Sequence, residues 1–355
     1  KKLNMKKRSL SARKKNLKQA TNFLKDKNIK KTFKKFTNSV KNLSFKNNVC
    51  VALSGGPDSL GLLYLVKSYK FPKNTKVYVY IVDHLLRKKS SEEAHFVKSK
   101  VSKLVTNIRI LKWTGEKPSS NIQASARQKR YFLISKQCKI DNVDTIFTGH
   151  HKDDLHENFL LRLLRGSGLQ GIASFNSLIS NYSDEIKIVR PLLNVKKEEL
   201  IYISNNIFNF YIDDPSNKNN EFTRTRLRKL ISKFKTEGLN LKKLNLTLNN
   251  LTSSNNAINF YVNKNLKENI HKNIHNNSYI ISKNFFDFPE EIIFRSFSQT
   301  LKRISKKYYA PRGKSVLNLL NMLKLKKNLK ITLSGCIIEK FDNSIVISRE
   351  KVKKN

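Results

Sequence analysis

The stretch that decides the fold reads VALSGGPDSLGLLYL and occupies residues 51–65. Apolar residues come first, two glycines, a proline and an aspartate follow, and apolar residues then return at helical spacing. This pattern predicts a strand, a tight loop and the start of a helix. Gly55 and Gly56 allow positive φ and let backbone N–H groups approach a ligand, and the N–H groups at a helix start favour anions. The loop at residues 54–59 is therefore predicted to bind phosphate.

The loop lacks the lysine with which a Walker loop reaches the β- and γ-phosphates. Without that lysine, we expect the backbone to hold a pyrophosphate that is to leave. The hydroxyls of Ser54 and Ser59 can donate hydrogen bonds, and Asp58 can bind a Mg²⁺ ion that bridges phosphate oxygens. A Gly-Pro turn capped by Asp58 or Ser59 is the alternative interpretation. The candidate nucleotide-binding residues here are Ser54, Gly55, Gly56, Pro57, Asp58 and Ser59.

Strand-like and helix-like segments alternate around this loop, from residue 47 to about residue 150. The alternation predicts an α/β fold with a parallel sheet and helices on both faces. Ligands bind such sheets at the carboxyl ends of the strands, where Asp83, His84 and residues 149–154 also fall. The predicted strands are 48–53, 76–82, 108–113 and 145–148, and the predicted helices are 60–69, 91–105 and 121–138.

The rest of the chain divides by composition. Residues 1–46 form a basic extension, expected to be helical in part, for which a transit peptide, an RNA-contacting arm and a tail stay open. Residues 47–232 are expected to form one domain around the loop, residues 233–297 a helical linker, and residues 298–355 a small α/β module. In that module we expect a helix after the PRGK loop and then two strands joined at residues 342–344.

The net charge of +45 points to a polyanionic partner, because Lys and Arg displace counterions from phosphates. Charge alone does not choose between RNA, DNA and anionic lipid. No apolar run approaches the ~18 residues of a membrane span. Cys50, Cys138 and Cys336 are far apart, which argues against a disulfide framework, a zinc site or an iron–sulfur cluster. A reducing compartment is expected, either the cytoplasm or an organelle matrix.

A second chemical signal is the acidic segment TGHHKDDLHEN at residues 148–158. On a helix, Glu157 neighbours both Asp153 and Asp154, and His150 lies one turn before Asp154. The opposite stripe, Leu155, Phe159 and Leu163, is predicted to face the core. Acids that merely favour a helix start are the alternative.

Further motifs follow in a fixed order. They are IVDH at 81–84, ARQKRY at 126–131, LRLLRGSGLQG at 161–171, RPLL at 190–193, DDPSN at 213–217 and RTRLR at 224–228. The SGGPDS loop resembles the SGGxDS loop of the PP-loop ATP pyrophosphatases, in an adenine nucleotide α hydrolase-like fold. All motifs together resemble the tRNA(Ile)-lysidine synthetase family over residues 47–230, and weakly over 300–355. Thr225, His156 and Asn158 depart from the family pattern.

The resemblance implies a function. ATP and Mg²⁺ would be used to attach free L-lysine to C2 of the wobble cytidine of a tRNA(Ile) with a CAU anticodon, through an adenylated base, with release of AMP and pyrophosphate. Whether the chain forms a homodimer stays open. Another PP-loop tRNA enzyme, such as one that 2-thiolates, and a non-catalytic RNA-binding protein with a relic loop are the alternatives.

The motifs and the resemblance together give the candidate site residues, with exposed helix cations as the alternative for Arg127 and Arg130. The catalytic candidates are Asp58, Asp154, Glu157, His150 and Arg130, and Asp58 is the metal candidate. Asp83 and His84 join the loop as nucleotide-binding candidates. The candidates for lysine and tRNA are Asp153, Asp154, Glu157, Arg127, Arg224, Arg226 and Arg228. In the C-terminal region Arg312 and Lys314 are candidate phosphate contacts, and Phe285, Phe286, Tyr308 and Tyr309 either stack on bases or pack in small cores.

Overall fold

The computed structural model describes residues 23–87, 89–120, 122–183, 185–213, 223–273, 278–307, 310–342 and 344–350, without the side chains of Phe23, Thr223 and Arg224. Contacts divide the chain into two compact units, Lys1–Leu248 and Asn249–Asn355. The four-segment division expected from composition stays a prediction. Among the described residues, no helix combines the length and the apolar character that crossing a bilayer requires.

The first unit contains a six-stranded sheet in the order β3-β2-β1-β4-β6-β5. All neighbouring strands pair in parallel except β5, which is antiparallel to β6. This arrangement confirms the predicted α/β fold. The strands are β1 (Asn48–Leu53), β2 (Val77–Asp83), β3 (Asn107–Lys112), β4 (Val143–Phe147), β5 (Ile179–Asn181) and β6 (Lys187–Val189). The helices are α1 (Lys27–Val40), α2 (Pro57–Ser68), α3 (Ser90–Val101), α4 (Ile122–Ile140), α5 (Lys152–Leu164), α6 (Leu169–Ala173), α7 (Lys197–Phe208) and α8 (Thr223–Thr236).

Helix α2 lies in the middle of the core and carries the phosphate loop at its start. Its residues 59–66 are all buried, which is why the sequence after the loop is apolar on every face. A Cβ on Gly61 would lie 3.0 Å from a methyl carbon of Leu200 on α7, so α2 and α7 approach too closely for a larger side chain. The phosphate loop is therefore held by a helix that is tightly packed in the core.

Helix α1 belongs to the core although it lies in the basic extension. Ile29, Phe36 and Val40 are buried against the sheet cluster, and Asp26 caps the helix by accepting hydrogen bonds from the N–H groups of Asn28 and Ile29. The prediction of partial helix is confirmed for residues 27–40. Residues 1–22 lie outside the described residues.

Two local predictions were wrong. Helix α2 begins at Pro57, three residues before the predicted start, because proline suits the first helical position. Leu163 does not face the core and is 52% exposed, since α5 ends at Leu164 and its last turn projects beyond the packed region.

The second unit contains a five-stranded antiparallel sheet in the order β7-β8-β11-β10-β9. Its strands are β7 (Ile270–Asn273), β8 (Ser278–Ile281), β9 (Leu329–Leu333), β10 (Cys336–Phe341) and β11 (Ser344–Arg349). Helices α10 (Glu290–Ser305) and α11 (Gly313–Leu325) lie in this unit, and α9 (Leu241–Asn269) begins within the residues of the first unit. Short 3₁₀ helices occupy Phe23–Lys25 and Lys283–Asp287.

This sheet corrects the prediction of two C-terminal strands. Ser334 and Gly335 have φ of 57° and 82°, and two successive positive φ angles make the tight turn of a hairpin. The turn splits the first predicted strand into β9 and β10. Strands β7 and β8 also lie in a segment predicted to be helical. Phe285 is completely buried in this unit's core, so it packs and is not available to stack on a base.

Candidate active site

A cavity of about 580 Å³ opens at the carboxyl ends of β1, β2 and β4. Strand β1 lies between β2 and β4, so the strand order changes direction here, where doubly wound sheets bind ligands. The predicted residues that line the cavity are Ser54, Gly56, Pro57, Asp58, Ser59, Asp83, His84, Arg127, Arg130, His150, Asp154 and Arg228. Gly55, Asp153, Glu157 and Arg226 are outside the lining, and the side chain of Arg224 lies outside the described residues.

The phosphate loop holds its own shape through Ser59. The Ser59 hydroxyl accepts a hydrogen bond from the Ser54 N–H (3.2 Å) and donates one to the Gly56 carbonyl (3.0 Å). Gly55 has φ of +84°, and a Cβ there would lie 2.7 Å from Val97, so only glycine fits. The exposed Ser54 hydroxyl is therefore better placed than Ser59 to meet a ligand.

Asp58 has an unsatisfied oxygen. Its Oδ1 is buried and has no hydrogen-bond partner among the described residues, while its Oδ2 lies 3.5 Å from Nε2 of His151. A buried carboxylate oxygen without a partner is costly. This oxygen can therefore take a ligand that the described side chains do not supply, such as a cation.

The residues present fit Mg²⁺ bound together with a phosphate ligand. Among the described residues, no group of three or more His, Cys, Asp or Glu could hold a metal ion by itself. Mg²⁺ usually takes one or two carboxylates and completes its octahedron with water and substrate phosphates. Asp58, on the phosphate loop, meets that requirement.

The segment after β4 touches the phosphate loop through Gly149. A Cβ on Gly149 would lie 3.0–3.2 Å from the backbone of Asp58 and Ser59. The small size of glycine thus lets the two loops approach, and it fixes the start of α5 beside Asp58.

Helix α5 begins with a reciprocal cap. The Nδ1 of His151 accepts a hydrogen bond from the Asp153 N–H (3.2 Å), and Asp154 Oδ2 accepts one from the His151 N–H (3.0 Å). The exposed fractions of the side chains are 40% for Asp153 and 14% for Asp154. Asp154 therefore helps to build the helix start while it lines the cavity.

Glu157 is already paired. Its Oε1 and Oε2 lie 2.6 and 3.4 Å from the Nε and Nη2 of Arg228, and Glu157 is 5% exposed. Burial by itself lowers the pKa of Arg228, but the hydrogen bond to Glu157 and the charges of Glu157, Asp154 and Asp58 outweigh it and raise the pKa. Arg228 thus neutralises Glu157 beside the cavity.

The alternating arginines do not all reach the site. Residues two apart on a helix point in nearly opposite directions at 3.6 residues per turn. Arg228 lines the cavity, whereas Arg226 on α8 is exposed and is not part of the lining. The alternating spacing alone does not indicate this difference, because it follows only once the segment is known to be helical.

His151 is a candidate functional residue that sequence reasoning missed. It is 2% exposed, and its Nε2 lies 3.5 Å from Asp58 Oδ2 and 3.6 Å from Asp154 Oδ2. Burial lowers the pKa of His151, but the hydrogen bond to Asp58 and the charges of Asp154, Asp58 and Asp153 raise it above its ordinary value. Its place at the helix N-cap, three residues before Asp154, was the available signal.

His150 and His84 are held by neighbours. The Nδ1 of His150 is 2.9 Å from the Thr148 hydroxyl, and its ring packs edge-on against Phe175. The Nε2 of His84 lies 3.3 Å from Arg130. Burial and the Arg130 charge lower the pKa of His84 to about 4, so at neutral pH His84 accepts a hydrogen bond from Arg130.

The carboxylate of Asp83 is engaged by the protein itself. It accepts hydrogen bonds from the Leu85 N–H and the hydroxyls of Ser90 and Ser91. Burial raises the pKa of Asp83, but these hydrogen bonds outweigh it and lower the pKa. The residue therefore fixes the segment after β2.

Two segments that the sequence marked without assigning a role also have clear positions. The Ile212 N–H donates to the Gly55 carbonyl (2.9 Å), which brings Tyr211 and Asp213 to the cavity wall. The DDPSN motif marked that segment, but its residues 214–217 lie outside the described residues. His156, a departure from the family pattern, is buried and lies 3.0 Å from Asn245 Oδ1, so it serves packing.

Comparisons with known proteins agree with this architecture. A family model described as a PP-loop domain matches residues 25–234. A tRNA(Ile)-lysidine synthase of Wolbachia pipientis wMel is 35% identical over 319 residues, 89% of this chain and 74% of that protein. One of Rickettsia felis is 32% identical over 330 residues, 91% of this chain and 75% of that protein.

The fold also resembles a solved structure, that of a U34-tRNA thiolase from Methanococcus maripaludis with its 4Fe–4S cluster. The TM-score is 0.51, with 16% sequence identity over 64% of this chain and 77% of that chain. At that identity the likeness concerns the fold alone.

Proposed function

The chain belongs to the tRNA(Ile)-lysidine synthase family of PP-loop proteins, and from that membership we propose that it ligates L-lysine to the wobble cytidine of a tRNA(Ile) with a CAU anticodon at the expense of ATP. One observation carries the proposal. The phosphate loop and the acidic helix share one cavity, and His151 joins Asp58 to Asp154 across it.

The phosphate loop supports cleavage of ATP between its α- and β-phosphates. The backbone at Gly55 and Gly56 and the N-terminus of α2 form a cradle for a pyrophosphate, and the loop itself contains no lysine to retain the γ-phosphate. Mg²⁺ bound at Asp58 would neutralise phosphate charge. Arg127 and Arg130, which line the cavity, would add bidentate hydrogen bonds to phosphate.

The acidic helix supports binding of an amino acid with two ammonium groups. Asp154 faces the cavity and Asp153 is partly exposed, so their carboxylates can hold ammonium groups. Glu157 takes part through its pair with Arg228. The ε-amine must lose its proton before it attacks, and desolvation in the cavity lowers its pKa from ~10.4. His150 is the candidate acceptor of that proton.

The proposed reaction forms and breaks a balanced set of bonds. The O2 oxygen of cytosine attacks the α-phosphate of ATP, and the pyrophosphate leaves. The lysine ε-nitrogen then bonds to C2, and the C2–O2 bond breaks so that AMP leaves with the former base oxygen. The RNA thus gains one lysine and loses the elements of one water.

Recognition of RNA is supported by charge. The net charge is +45, and a base must leave its stack to reach an enclosed site, which single-stranded loops permit. Arg312 and Lys314 at the start of α11 are proposed to contact phosphates. The aromatic candidates Tyr308 and Tyr309 lie outside the described residues.

Thiolation has less support. Cys50, Cys138 and Cys336 are free and buried, and none lines the cavity, whereas reactive cysteines need access. Free thiols also suit the reducing compartment that we propose, the cytoplasm or an organelle matrix.

Pyrophosphate release tests the proposal. We expect release over many turnovers only when ATP, L-lysine and the CAU tRNA(Ile) are all present, and at most one equivalent per protein without lysine, since adenylation precedes lysine attack. Continued release over many turnovers without lysine would contradict the proposal and favour another PP-loop chemistry, and binding of RNA without any release would favour a non-catalytic RNA-binding protein.

A further inference from the structure

Arg162 and Arg165 lie near Arg127, which lines the cavity, and the proposed reaction leaves Arg162 and Arg165 without a role. Arg162 lies on the last turn of α5, Arg165 follows the end of that helix, and Arg127 lies on α4 and lines the cavity wall. We call Arg127, Arg162 and Arg165 the arginine cluster.

Neutral groups orient the cluster. The Nε of Arg162 donates to Asn158 Oδ1 (2.9 Å), one helical turn before it. The guanidinium of Arg127 lies 5.1 Å from the centre of the Tyr131 ring. Asn158, which departs from the family pattern, therefore holds Arg162 in place without neutralising it.

The cluster has no counter-ion among the described side chains. Arg109, Arg228 and Arg295 each form an ion pair with a carboxylate. Within the same described ranges, no Asp or Glu forms an ion pair with any member of the cluster. A compact group of uncompensated guanidinium ions is therefore left for an external anion.

The cost of this arrangement is visible at Arg162. Its side chain is half-buried, and burial, followed by the charges of Arg165 and Arg127, lowers its pKa. Like charges repel, so cations that crowd in this way are stabilised when an anion lies between them. Phosphate groups accept the paired N–H groups of arginine bidentately.

The position of the cluster suits a strand whose base enters the cavity. With a rise of 1.5 Å per residue, Arg162 lies about 12 Å from Asp154 along the axis of α5. A nucleotide that inserts its base among Asp58, Asp154 and Arg127 leaves its flanking phosphates outside the cavity. Arg127 lines the cavity and its charge acts on Arg162, so Arg162 and Arg165 lie close to the cavity wall.

We propose that the arginine cluster binds a backbone phosphate of the substrate RNA next to the nucleotide that is modified. This inference rests on the proposed function for the identity of the RNA. It makes Arg162 and Arg165 RNA-binding residues, with Asn158 as the positioning residue of Arg162.

Binding and turnover of the full chain test this proposal with an unmodified CAU tRNA(Ile) transcript as probe. We expect the single variant Arg165→Ala and the double variant Arg162→Ala/Arg165→Ala to raise the KM and Kd for the transcript tenfold or more. In both variants the KM values for lysine and ATP, and kcat at saturating RNA, should stay near those of wild type. The slope of log Kd against log salt should fall by about 0.7 for each single-strand phosphate that a substitution leaves unneutralised. Arg162→Lys keeps the charge, so it should preserve the slope but lose part of the affinity.

Lys136→Ala is the matched control, since Lys136 is exposed on α4 and loses the same charge away from the cluster. If Arg165→Ala weakens RNA binding no more than Lys136→Ala, the proposal is overturned. Because Arg165 is exposed at the helix end, Arg165→Ala tests the proposal without disturbing the packing of the half-buried Arg162. If wild type binds the transcript without forming lysidine but the cluster variants still lose binding, the reaction is refuted and the RNA site stands.

Discussion

Of the single residues, Asp58 is the one whose substitution is expected to affect activity most. Its buried Oδ1 has no protein partner among the described residues, so the protein gains no stability from that oxygen. A group that is costly to fold and is retained on a phosphate loop indicates a function in ligand binding. Because no described hydrogen bond depends on Oδ1, its chemistry can be changed with little effect on the fold.

We predict that Asp58→Asn lowers pyrophosphate release by roughly 100-fold or more, the scale of losing one group that stabilises transition-state charge, and leaves the thermal unfolding midpoint within a few degrees of wild type. Asp26→Ala is the converse control, because Asp26 caps α1 and binds the Tyr202 hydroxyl. Asp26→Ala should lower the thermal unfolding midpoint and leave pyrophosphate release near the wild-type rate. Near-normal release by Asp58→Asn would remove Asp58 from the mechanism.

Glu157 differs because it is paired. Glu157→Ala should abolish turnover and also destabilise the protein by about 1–3 kcal/mol, the cost of leaving a charged partner unsatisfied. We expect the destabilisation to lie at the lower end of this range, because the side chain of Arg228 is 37% exposed and water partly screens its charge. Urea unfolding and pyrophosphate release measure the two effects. In a double-mutant cycle, adding Arg228→Ala to Glu157→Ala should recover part of the lost stability but none of the activity. If the stability losses of the two single variants simply add in the double variant, the pair is not coupled.

His84 gives a pH dependence of stability. Its pKa is lowered to about 4 in the folded protein, against ~6.5 when unfolded. Between these values the unfolded state binds more protons, so the free energy of unfolding rises with pH and the contribution of His84 is lost as pH falls from ~6.5 to about 4. His84→Gln should flatten the curve in that window, as measured by urea unfolding. His271→Gln is the control, because His271 is exposed on β7. If the free energy of unfolding depends on pH equally in His84→Gln and in wild type, the assignment to His84 is contradicted.

At the scale of elements, the site depends on a close approach of two loops. A Cβ on Gly149 meets the backbone of Asp58 and Ser59, which cannot rotate away as a side chain would. Loop separation would move Asp58 relative to Asp154. The approach of α5 to α2 is thus as important as any one side chain.

Gly149→Ala should destabilise the protein by about 1–3 kcal/mol through overpacking and lower pyrophosphate release by roughly 100-fold, as small misplacements of reacting groups do. Gly168→Ala is the matched control, since Gly168 has φ of −68° and nothing lies within 4 Å of its added Cβ. Equal activity in the two variants would show that the loops tolerate separation.

Local signals make much of the fold predictable. Strand β1 is predicted over 48–53 and observed at Asn48–Leu53, because apolar strand, glycine loop and helix start are all encoded within a few residues. The β9–β10 hairpin escapes prediction since Ser334 adopts a positive φ that its residue type rarely favours.

The site is only partly predictable, because its decisive contacts are long-range. The pair of Glu157 and Arg228 joins residues 71 positions apart, and the sequence does not show which of the alternating arginines it involves. Likewise, no spacing rule assigns His151 to Asp58, since the contact depends on how closely α5 approaches the phosphate loop.

At the scale of the whole molecule, charge and chemistry are separated. The net charge of +45 is spread over the chain, whereas Asp58, Asp153, Asp154 and Glu157 concentrate acids near one cavity. An excess of basic residues attracts RNA from solution, and the acidic site selects a cationic amino acid. The same molecule can therefore bring together two substrates of opposite charge.

The mass of the CAU tRNA(Ile) after incubation with the protein, ATP and L-lysine tests the central claim most directly. The account predicts a gain of one lysine minus one water on the anticodon-loop fragment, dependent on Asp58 and absent without lysine. An unchanged mass, or a gain that corresponds to sulfur replacing oxygen, would contradict it.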